Sequence, residues 1–384
     1  MGDDAVVFED PPTQTMERGE IFRNGLAQLG KHPILLSHVF LQMNVKSKGL
    51  DSLELLTNYP NLMYVDISDN RISDVRVLAE LPMLVELNAS RNCLTECLDF
   101  SPLLCTHDNA WSSGDEAVGS MLTLANLSFN KISQLNDLGA HPFLEVLLLS
   151  NNDISRIQGL ESLMYLQVLD LSYNKILAIG GLDGLRIQEL NLEGNRLTSA
   201  AGLENLPNLT ALNLSYNAIR SLSSLAACSK LLTLNVGHND ILVIKQTRFL
   251  QDIPWLAYLT VAGNPCCKKT NYRCRVLYQL RNLRRLDASN VTAEEQIRTC
   301  NLYRIQGGDL AARESVFAKH FPGEAFEDFG PTSQFEDDEM DLELEEDGES
   351  SLSGVAAGLS RELYRDITEN IIKQIISGRG GDQT

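Results

Sequence analysis

The histidines and cysteines are the residues of this 384-residue chain whose chemistry could support metal binding or catalysis. The six histidines lack the paired spacing of metal ligands, and the cluster of Cys266, Cys267 and Cys274 has no fourth ligand nearby. The chain contains no G-x-S-x-G, no glycine-rich phosphate loop and no H-E-x-x-H. We therefore expect no catalytic residues, no metal, no cofactor and no enzymatic activity.

The composition indicates the cellular compartment of the protein and the classes of partner that it is expected to bind. Its formal charge is −19, from 51 acidic and 32 basic residues, which argues against direct binding to a nucleic-acid backbone. The eight cysteines are irregularly spaced, as expected for reduced thiols in an intracellular protein. The acidic first residues do not resemble a secretory signal. The sequence contains no run of 18 apolar residues, which is the length needed to span a membrane. We expect a cytoplasmic protein that binds neither membranes nor nucleic acid.

Asparagines recur at intervals that are mostly 21 or 22 residues. Apolar residues stand eight, five and three positions before each asparagine, as Leu144, Leu147 and Leu149 stand before Asn152. This alternation predicts a short strand with one buried side. The apolar residues at Ile154 and after it recur every three positions and predict a helical or 3₁₀ return. The ten asparagines are Asn44, Asn70, Asn92, Asn130, Asn152, Asn174, Asn195, Asn217, Asn239 and Asn264.

A single unit of this repeat cannot bury its leucines alone, whereas stacked units bury them against one another. The side-chain amide of each asparagine can bond to the backbone of a neighbouring coil, which would leave few buried polar groups without a partner. The pattern therefore predicts an α/β solenoid. Its curved parallel sheet would line the concave face, and short helical or 3₁₀ segments would form the convex face.

These repeats resemble leucine-rich repeats, in the 22-residue form typical of phosphatase-1 regulators. The resemblance covers residues 31 to 290, with repeats expected over 31–264 and an N-terminal capping segment over 1–30. Two departures from the pattern matter: the interval is 26 residues from Asn44 to Asn70 and 38 residues from Asn92 to Asn130. The longer interval predicts a loop on the rim of the solenoid.

Both ends of the repeat array require a cap, because terminal coils would otherwise expose their leucines. Residues 265–305 resemble the C-terminal cap of this class, with a helix from Tyr272 through Leu280 and a strand that includes Leu283 and Leu286. At the other end, four apolar residues could form the N-terminal cap: Ile21, Phe22, Leu26 and Leu29.

The sheet face of a solenoid is its usual binding surface, and here it carries one apolar patch. Side chains six, four and two positions before each asparagine should point onto this face. Most of them are small and polar. The exceptions are neighbours on adjacent predicted strands, and we expect them to form a partner-binding patch unless the tail or the 98–116 loop covers them. They are Leu124, Val146, Leu148 and Val168.

The tail after the cap divides into two segments. Residues 306–354 are expected to form a disordered acidic linker, with 13 acidic residues and no lysine or arginine between Gly323 and Ser350. Residues 355–384 contain an amphipathic helix that would dock on a partner protein, self-associate as a coiled coil or fold back on the solenoid. It looks like the helices that anchoring proteins lay across regulatory-subunit-type docking-domain dimers. The residues expected to contact the partner are Leu359, Leu363, Ile367, Ile371 and Ile375.

The segments "LLSHVFLQMNVKSKGLDSLELLTNYPNLMYVDISDNRISDV" and "FLQDIPWLAYLTVAGNPCCKKTNYRCRVLYQLRNLRRLD" are similar to a leucine-rich-repeat protein of ciliary radial spokes. This resemblance implies a structural component of the ciliary or flagellar axoneme, which is part of the cytoskeleton, with spoke or other axonemal subunits as partners. A rival interpretation is a regulatory subunit that binds the phosphatase 1 catalytic subunit through the concave face. Such a subunit should present aromatic and acidic side chains there, whereas most of this face carries Asn and Ser.

Overall fold

The structure is a computed structural model that describes residues 12–31, 37–100, 121–269, 271–303, 310–320 and 322–323. The chain divides into two compact units, Met1–Leu169 and Asp170–Thr384. Most of the 98–116 loop lies outside the described residues, and so do the acidic stretch after Gly323 and the C-terminal helix.

The first unit begins with one helix and continues as a series of strands that pair in chain order. Strands β1 and β2 pair antiparallel, and the pairs from β2 to β6 are parallel. Short 3₁₀ segments at Glu54–Asn58 and Arg76–Glu80 return the chain between strands. The elements are α1 (Pro12–Gly25), β1 (Leu26–Lys31), β2 (His38–Asn44), β3 (Tyr64–Asp66), β4 (Glu86–Asn88), β5 (Leu124–Asn126), β6 (Val146–Leu148) and β7 (Val168–Asp170), the last at the unit boundary.

The second unit repeats this arrangement and ends in a helical cap. Its strands β8 to β12 pair in parallel, and β12 turns back to pair antiparallel with β13. The strands are β8 (Glu189–Asn191), β9 (Ala211–Asn213), β10 (Thr233–Asn235), β11 (Tyr258–Thr260), β12 (Arg285–Leu286) and β13 (Ser289–Asn290). The 3₁₀ segments are Ser223–Ala227, Ile244–Leu250 and Pro265–Lys268, and the helices are α2 (Tyr272–Gln279), α3 (Ala293–Tyr303) and α4 (Leu310–His320).

The predicted apolar positions form the core. Leu144, Leu147 and Leu149 are fully buried, as are Ile154 and Leu160 on the return segment of the same coil. Not every return is helical: residues 154–160 contain no helix of either kind. A three-residue period also suits an extended chain with three residues per turn, so the spacing alone could not distinguish a 3₁₀ helix from an extended return.

Asparagine side chains join successive coils. The Asn152 amide Nδ2 donates to the carbonyl oxygens of Leu127 (3.1 Å) and Leu149 (3.0 Å), and its Oδ1 accepts the Ile132 N–H at 3.0 Å. Each amide therefore satisfies a carbonyl of its own coil and two backbone groups of the coil before it. The same pattern holds for Asn70, Asn92, Asn130, Asn195, Asn217, Asn239 and Asn264.

The predicted register of the first coil is wrong by four residues. Asn44 is an exposed strand residue that pairs with Asp66, whereas Asn70 bonds to the backbone N–H of Lys48 at 3.0 Å. Lys48 therefore takes the asparagine position, and the apparent step of 26 residues is a regular step of 22. The core side chains of this coil are Met43 and Val45, in place of the predicted Val39 and Leu41, which are half-buried.

The two ends of the described chain differ from the predicted caps in detail. Among the predicted N-terminal residues, Phe22 is buried, whereas Leu29 on β1 is exposed. At the other end, helix α4 occupies residues that were predicted to be linker, and that prediction is wrong for Leu310–His320. Phe317 is the reason, because this helix buries it almost completely.

Candidate protein-binding surface

Backbone pairing places Leu124, Val146 and Leu148 of the predicted patch on the neighbouring strands β5 and β6. Leu124 lies opposite Val146, and Leu148 lies opposite Asn126. Leu124 and Leu148 are half-buried, but Val146 and Val168 are buried at 0% and 1% exposure. Leu124 and Leu148 are therefore the accessible part of the predicted patch, and partner binding by the four residues stays a prediction. The tail residues Leu359, Leu363, Ile367, Ile371 and Ile375 lie outside the described residues.

Polar side chains fix the backbone along this face. Residues four positions before the asparagines accept hydrogen bonds from the backbone two residues later, as Asn126 Oδ1 does from Ser128 N–H at 3.1 Å. Asp170 accepts the corresponding bond from Ser172 at 2.9 Å. Because these side chains bind their own strand ends, the Asn and Ser columns are primarily structural.

Carboxylates are concentrated on the face of the second unit. Glu193 accepts a bond from the Tyr173 hydroxyl at 2.6 Å and another from Asn213 Nδ2 at 3.0 Å. Burial raises the pKa of Asp170, and the nearby Glu193 carboxylate raises it further.

A second surface in the first unit was missed by the sequence analysis. Exposed apolar side chains stand nine positions before the asparagine in four successive coils, just ahead of each strand. We call them the Met/aromatic column: Met83, Met121, Phe143 and Tyr165, with exposures between 40% and 53%. The rings of Phe143 and Tyr165 lie 6.0 Å apart. The repeat register contains the signal for this column, because all four residues stand nine positions before an asparagine. The prediction from sequence considered only the side chains on the sheet face.

Side chains in the turns after the strands stack on one another between successive coils. The residue just before the asparagine adopts positive φ in nearly every coil, including Arg91, Phe129, Tyr216 and His238. The Arg91 guanidinium lies 4.3 Å over the Phe129 ring, and the Tyr216 and His238 rings stack 4.3 Å apart. At the same position of the next coil, Gly263 leaves room for the His238 ring, because a Cβ there would lie 2.5 Å from it.

Some thiols of the described chain are embedded in the core, whereas Cys300 is exposed. Cys97 and Cys228 are buried, and burial raises their pKa values to about 12 and about 11, so neither is a reactive thiolate. Across the described residues, no group of three or more His, Cys, Asp or Glu side chains is arranged to hold a metal. In the same part of the chain, no helix is both long and apolar enough to cross a bilayer.

Comparison with known proteins agrees with this architecture. The family model described as "Leucine Rich repeats (2 copies)" matches residues 142–184 and 186–227. Human leucine-rich repeat-containing protein 23 is 32% identical over 294 residues, which span 74% of this chain and 78% of the human protein. The chain belongs to the leucine-rich repeat family.

Two further similarities cover less of the chain or reflect fold alone. Mouse cilia- and flagella-associated protein 410 is 34% identical over 94 residues, 24% of this chain and 36% of the mouse protein. The leucine-rich repeat domain of APL1B, a solved structure, is 18% identical with a TM-score of 0.47 and 68% of each chain covered. Leucine-rich repeats mediate protein–protein interactions, and this leucine-rich repeat protein is accordingly an interaction scaffold.

Proposed function

We propose that this leucine-rich repeat protein is a non-enzymatic structural component of the ciliary or flagellar axoneme, within the radial spoke. The observation that carries the ciliary assignment is the 34% identity, over 94 residues, to a protein named for cilia and flagella. The resemblance of residues 35–75 and 249–287 to a radial-spoke leucine-rich-repeat protein supports the narrower assignment.

The proposed contact with a spoke subunit lies on β5 and β6. Leu124 and Leu148 are the accessible apolar side chains there, and the buried Val146 and Val168 lie on the same face. An apolar centre within a polar surround is the usual arrangement of a protein interface. The helix of residues 355–377 would add a second, tethered contact, through Leu359, Leu363, Ile367, Ile371 and Ile375, to a partner such as a docking-domain dimer.

The first experiment is affinity purification of the tagged full-length chain from ciliated cells. Leu148→Asp places a charge on the proposed contact, and we expect it to reduce recovery of spoke subunits by about tenfold or more, a loss of ~1.4 kcal/mol. Leu177→Asp is the matched control, because Leu177 is 62% exposed and lies on the other unit. Thermal melting of both variants separates lost binding from lost folding.

The outcomes distinguish the proposed function from its rival. Recovery of spoke subunits with the wild type and the control, but not with Leu148→Asp, supports an axonemal role through this face. Recovery of the phosphatase 1 catalytic subunit without axonemal proteins would reject that role in favour of phosphatase regulation. Equal recovery of spoke subunits with all three chains would reject the contact surface but retain the axonemal assignment.

A further inference from the structure

The last repeat and the start of the C-terminal cap are basic, in a chain whose net charge is −19. Residues 245–286 contain nine lysines and arginines and a single acidic residue. The three acidic residues that follow are held by hydrogen bonds or ion pairs within the same unit, and they are Asp287, Glu294 and Glu295. This end of the second unit therefore presents positive charge that would attract an acidic partner.

A cleft of about 390 Å³ lies within this region, between the residues after the 3₁₀ segment Ile244–Leu250 and the end of α2. Its apolar lining side chains are buried and form the floor, whereas its amide and arginine side chains are exposed or half-buried and form the rim. We call it the cap cleft, and its lining includes Leu250, Ile253, Leu280, Gln251, Gln279 and Arg281. An apolar floor with a few polar groups around it is typical of a ligand site.

Hydrogen bonds hold the two walls of the cap cleft together. The Thr247 hydroxyl donates to Gln279 Oε1, which joins the 3₁₀ segment to α2. Asn282 Nδ2 donates to the Pro254 carbonyl oxygen at 3.3 Å, which joins the turns that follow these two elements. Because both bonds cross from one wall to the other, the cleft is formed before a ligand binds, and this lowers the ordering cost of binding.

An exposed tryptophan belongs to one wall of the cap cleft. Trp255 immediately precedes the lining residue Leu256, and at 68% it is the most exposed large apolar side chain among the described residues. Arg281 on the other wall is exposed, and so is Arg284 three residues later. The ion pairs between described residues do not include either arginine. Tryptophan and arginine side chains beside an apolar pocket are the residues that most often dominate the energy of a protein interface.

Charge and shape together indicate the chemistry of the partner. A guanidinium group binds a carboxylate through two parallel hydrogen bonds, which favours acidic side chains opposite the arginines. The aliphatic floor favours one large apolar side chain beside them. Nucleic acid fits less well, because its phosphates would be repelled by the net charge of −19 that the rest of the chain produces. A protein segment with carboxylates on either side of an apolar residue matches both the floor and the rim.

We propose that the cap cleft binds an acidic segment of a partner protein. One large apolar side chain of that segment enters the cleft and packs against Trp255, and the flanking carboxylates bind Arg281 and Arg284. This contact is separate from the one proposed on β5 and β6 and does not depend on the ciliary assignment, so either proposal can fail while the other holds.

The test is selection from a displayed library of random short peptides on the full-length chain. The full-length variant with both Trp255→Ala and Arg281→Glu serves for counter-selection. Fluorescence anisotropy then measures the affinity of the enriched peptides for the wild type and for each single variant. Leu177→Ala is the matched control for the tryptophan, because Leu177 is 62% exposed on the same unit. Arg196→Glu is the matched control for the arginine, because Arg196 is also exposed on that unit.

We expect the enriched peptides to carry net negative charge and at least one large apolar residue. Trp255→Ala and Arg281→Glu should each weaken binding by about tenfold or more, whereas the two controls should leave it unchanged within about twofold. Failure to enrich any peptide, enrichment of basic or uncharged peptides, or equal binding to the wild type and both cleft variants would overturn the proposal. Circular dichroism on every variant confirms that it is folded.

Other occupants of the cap cleft would give results of their own. Benzoylphenylalanine in place of Trp255 would crosslink to residues 324–384 of the same chain if the tail filled the cleft, and to a second copy if the chain dimerised there. Mixing isotope-labelled with unlabelled chains distinguishes these two products. A fluorescent uridine oligonucleotide that bound the chain more tightly than the enriched peptides would assign the surface to nucleic acid. Each of these three results would overturn the proposal.

Discussion

In most coils a single asparagine amide satisfies three backbone groups, as Asn152 does, which makes it the residue with the clearest energetic role. We predict that Asn152→Ala lowers the free energy of unfolding by about 2–4 kcal/mol, because each buried group left unsatisfied costs about 1–3 kcal/mol. The measurement is urea denaturation of the full-length chain, followed by circular dichroism.

Lys48→Ala is the control for this asparagine substitution. Lys48 occupies the asparagine position of the first coil, but its side chain is exposed. We expect a change within about 0.5 kcal/mol, as for ordinary surface substitutions. A large loss of unfolding free energy in Lys48→Ala together with a small loss in Asn152→Ala would contradict two conclusions. These are the stabilising role of the asparagine hydrogen bonds between coils and the corrected register of the first coil.

His141 replaces a leucine of the repeat and is fully buried. Its Nε2 lies 3.4 Å from the Leu98 carbonyl oxygen, and its ring lies edge-on to Phe100 with the centroids 4.8 Å apart. Burial lowers the pKa of His141 below its ordinary value of 6.5, although contacts with the Leu98 and Phe100 backbone partly oppose this. The ring therefore anchors the start of the rim loop in its neutral form.

The lowered pKa gives a pH dependence with a definite sign. Below about pH 6.5 the unfolded chain binds a proton at His141 more readily than the folded chain, so stability falls as the pH falls. We predict that wild type loses more stability between pH 7.5 and pH 5.5 than His141→Leu. Urea denaturation at both pH values measures this difference. A parallel loss in the two proteins would show that His141 does not titrate on unfolding.

At the scale of elements, the C-terminal cap depends on one arginine. Arg273 on α2 forms an ion pair with Glu295 on α3 at 2.8 Å and donates to the carbonyl oxygens of Leu286 and Asn290. It thereby joins α2, α3 and the β12–β13 turn. The Glu295 carboxylate also accepts from the Thr292 N–H at 3.0 Å, which fixes the first turn of α3.

We predict that Arg273→Ala destabilises the cap by about 2–4 kcal/mol, because it leaves partly buried acceptors and a carboxylate without a partner. Arg298→Ala is the matched control: Arg298 pairs with Glu294 on the exposed side of the same α3 helix. That pair should contribute about 0.5 kcal/mol or less. Hydrogen exchange of α2 and α3 amides measures both effects, and equal protection in the two variants would disprove the role of Arg273.

The sequence predicted strands more reliably than the segments between them. Strand positions follow from a two-residue alternation, which also decides which side chains are buried, as at Leu147 and Leu149. The return segments share a three-residue period that fits both 3₁₀ and extended chain, so residues 154–160 could not be assigned. Helix α4 was missed because Phe317 is its single large buried residue among those described, and one apolar residue makes no periodic signal.

At the scale of the whole molecule, the repeat register predicted which side chains lie on the sheet face but could not predict their solvent exposure. Val146 and Val168 lie where the pattern placed them, and yet both are buried. Exposure depends on what lies over a sheet, and that depends on segments distant in sequence, which a repeat pattern does not encode. The Met/aromatic column differs, because its solvent exposure follows from its position just before each strand and not from distant segments.

The central claim is that this leucine-rich repeat protein binds other proteins of the axoneme through its sheet face. Crosslinking mass spectrometry on demembranated axonemes, from ciliated cells that express the tagged chain, tests it most directly. The account predicts crosslinks from residues near Leu124 and Leu148 to radial-spoke subunits, and their loss with Leu148→Asp. Absence of the chain from axonemes, or spoke crosslinks that persist in Leu148→Asp, would contradict the claim.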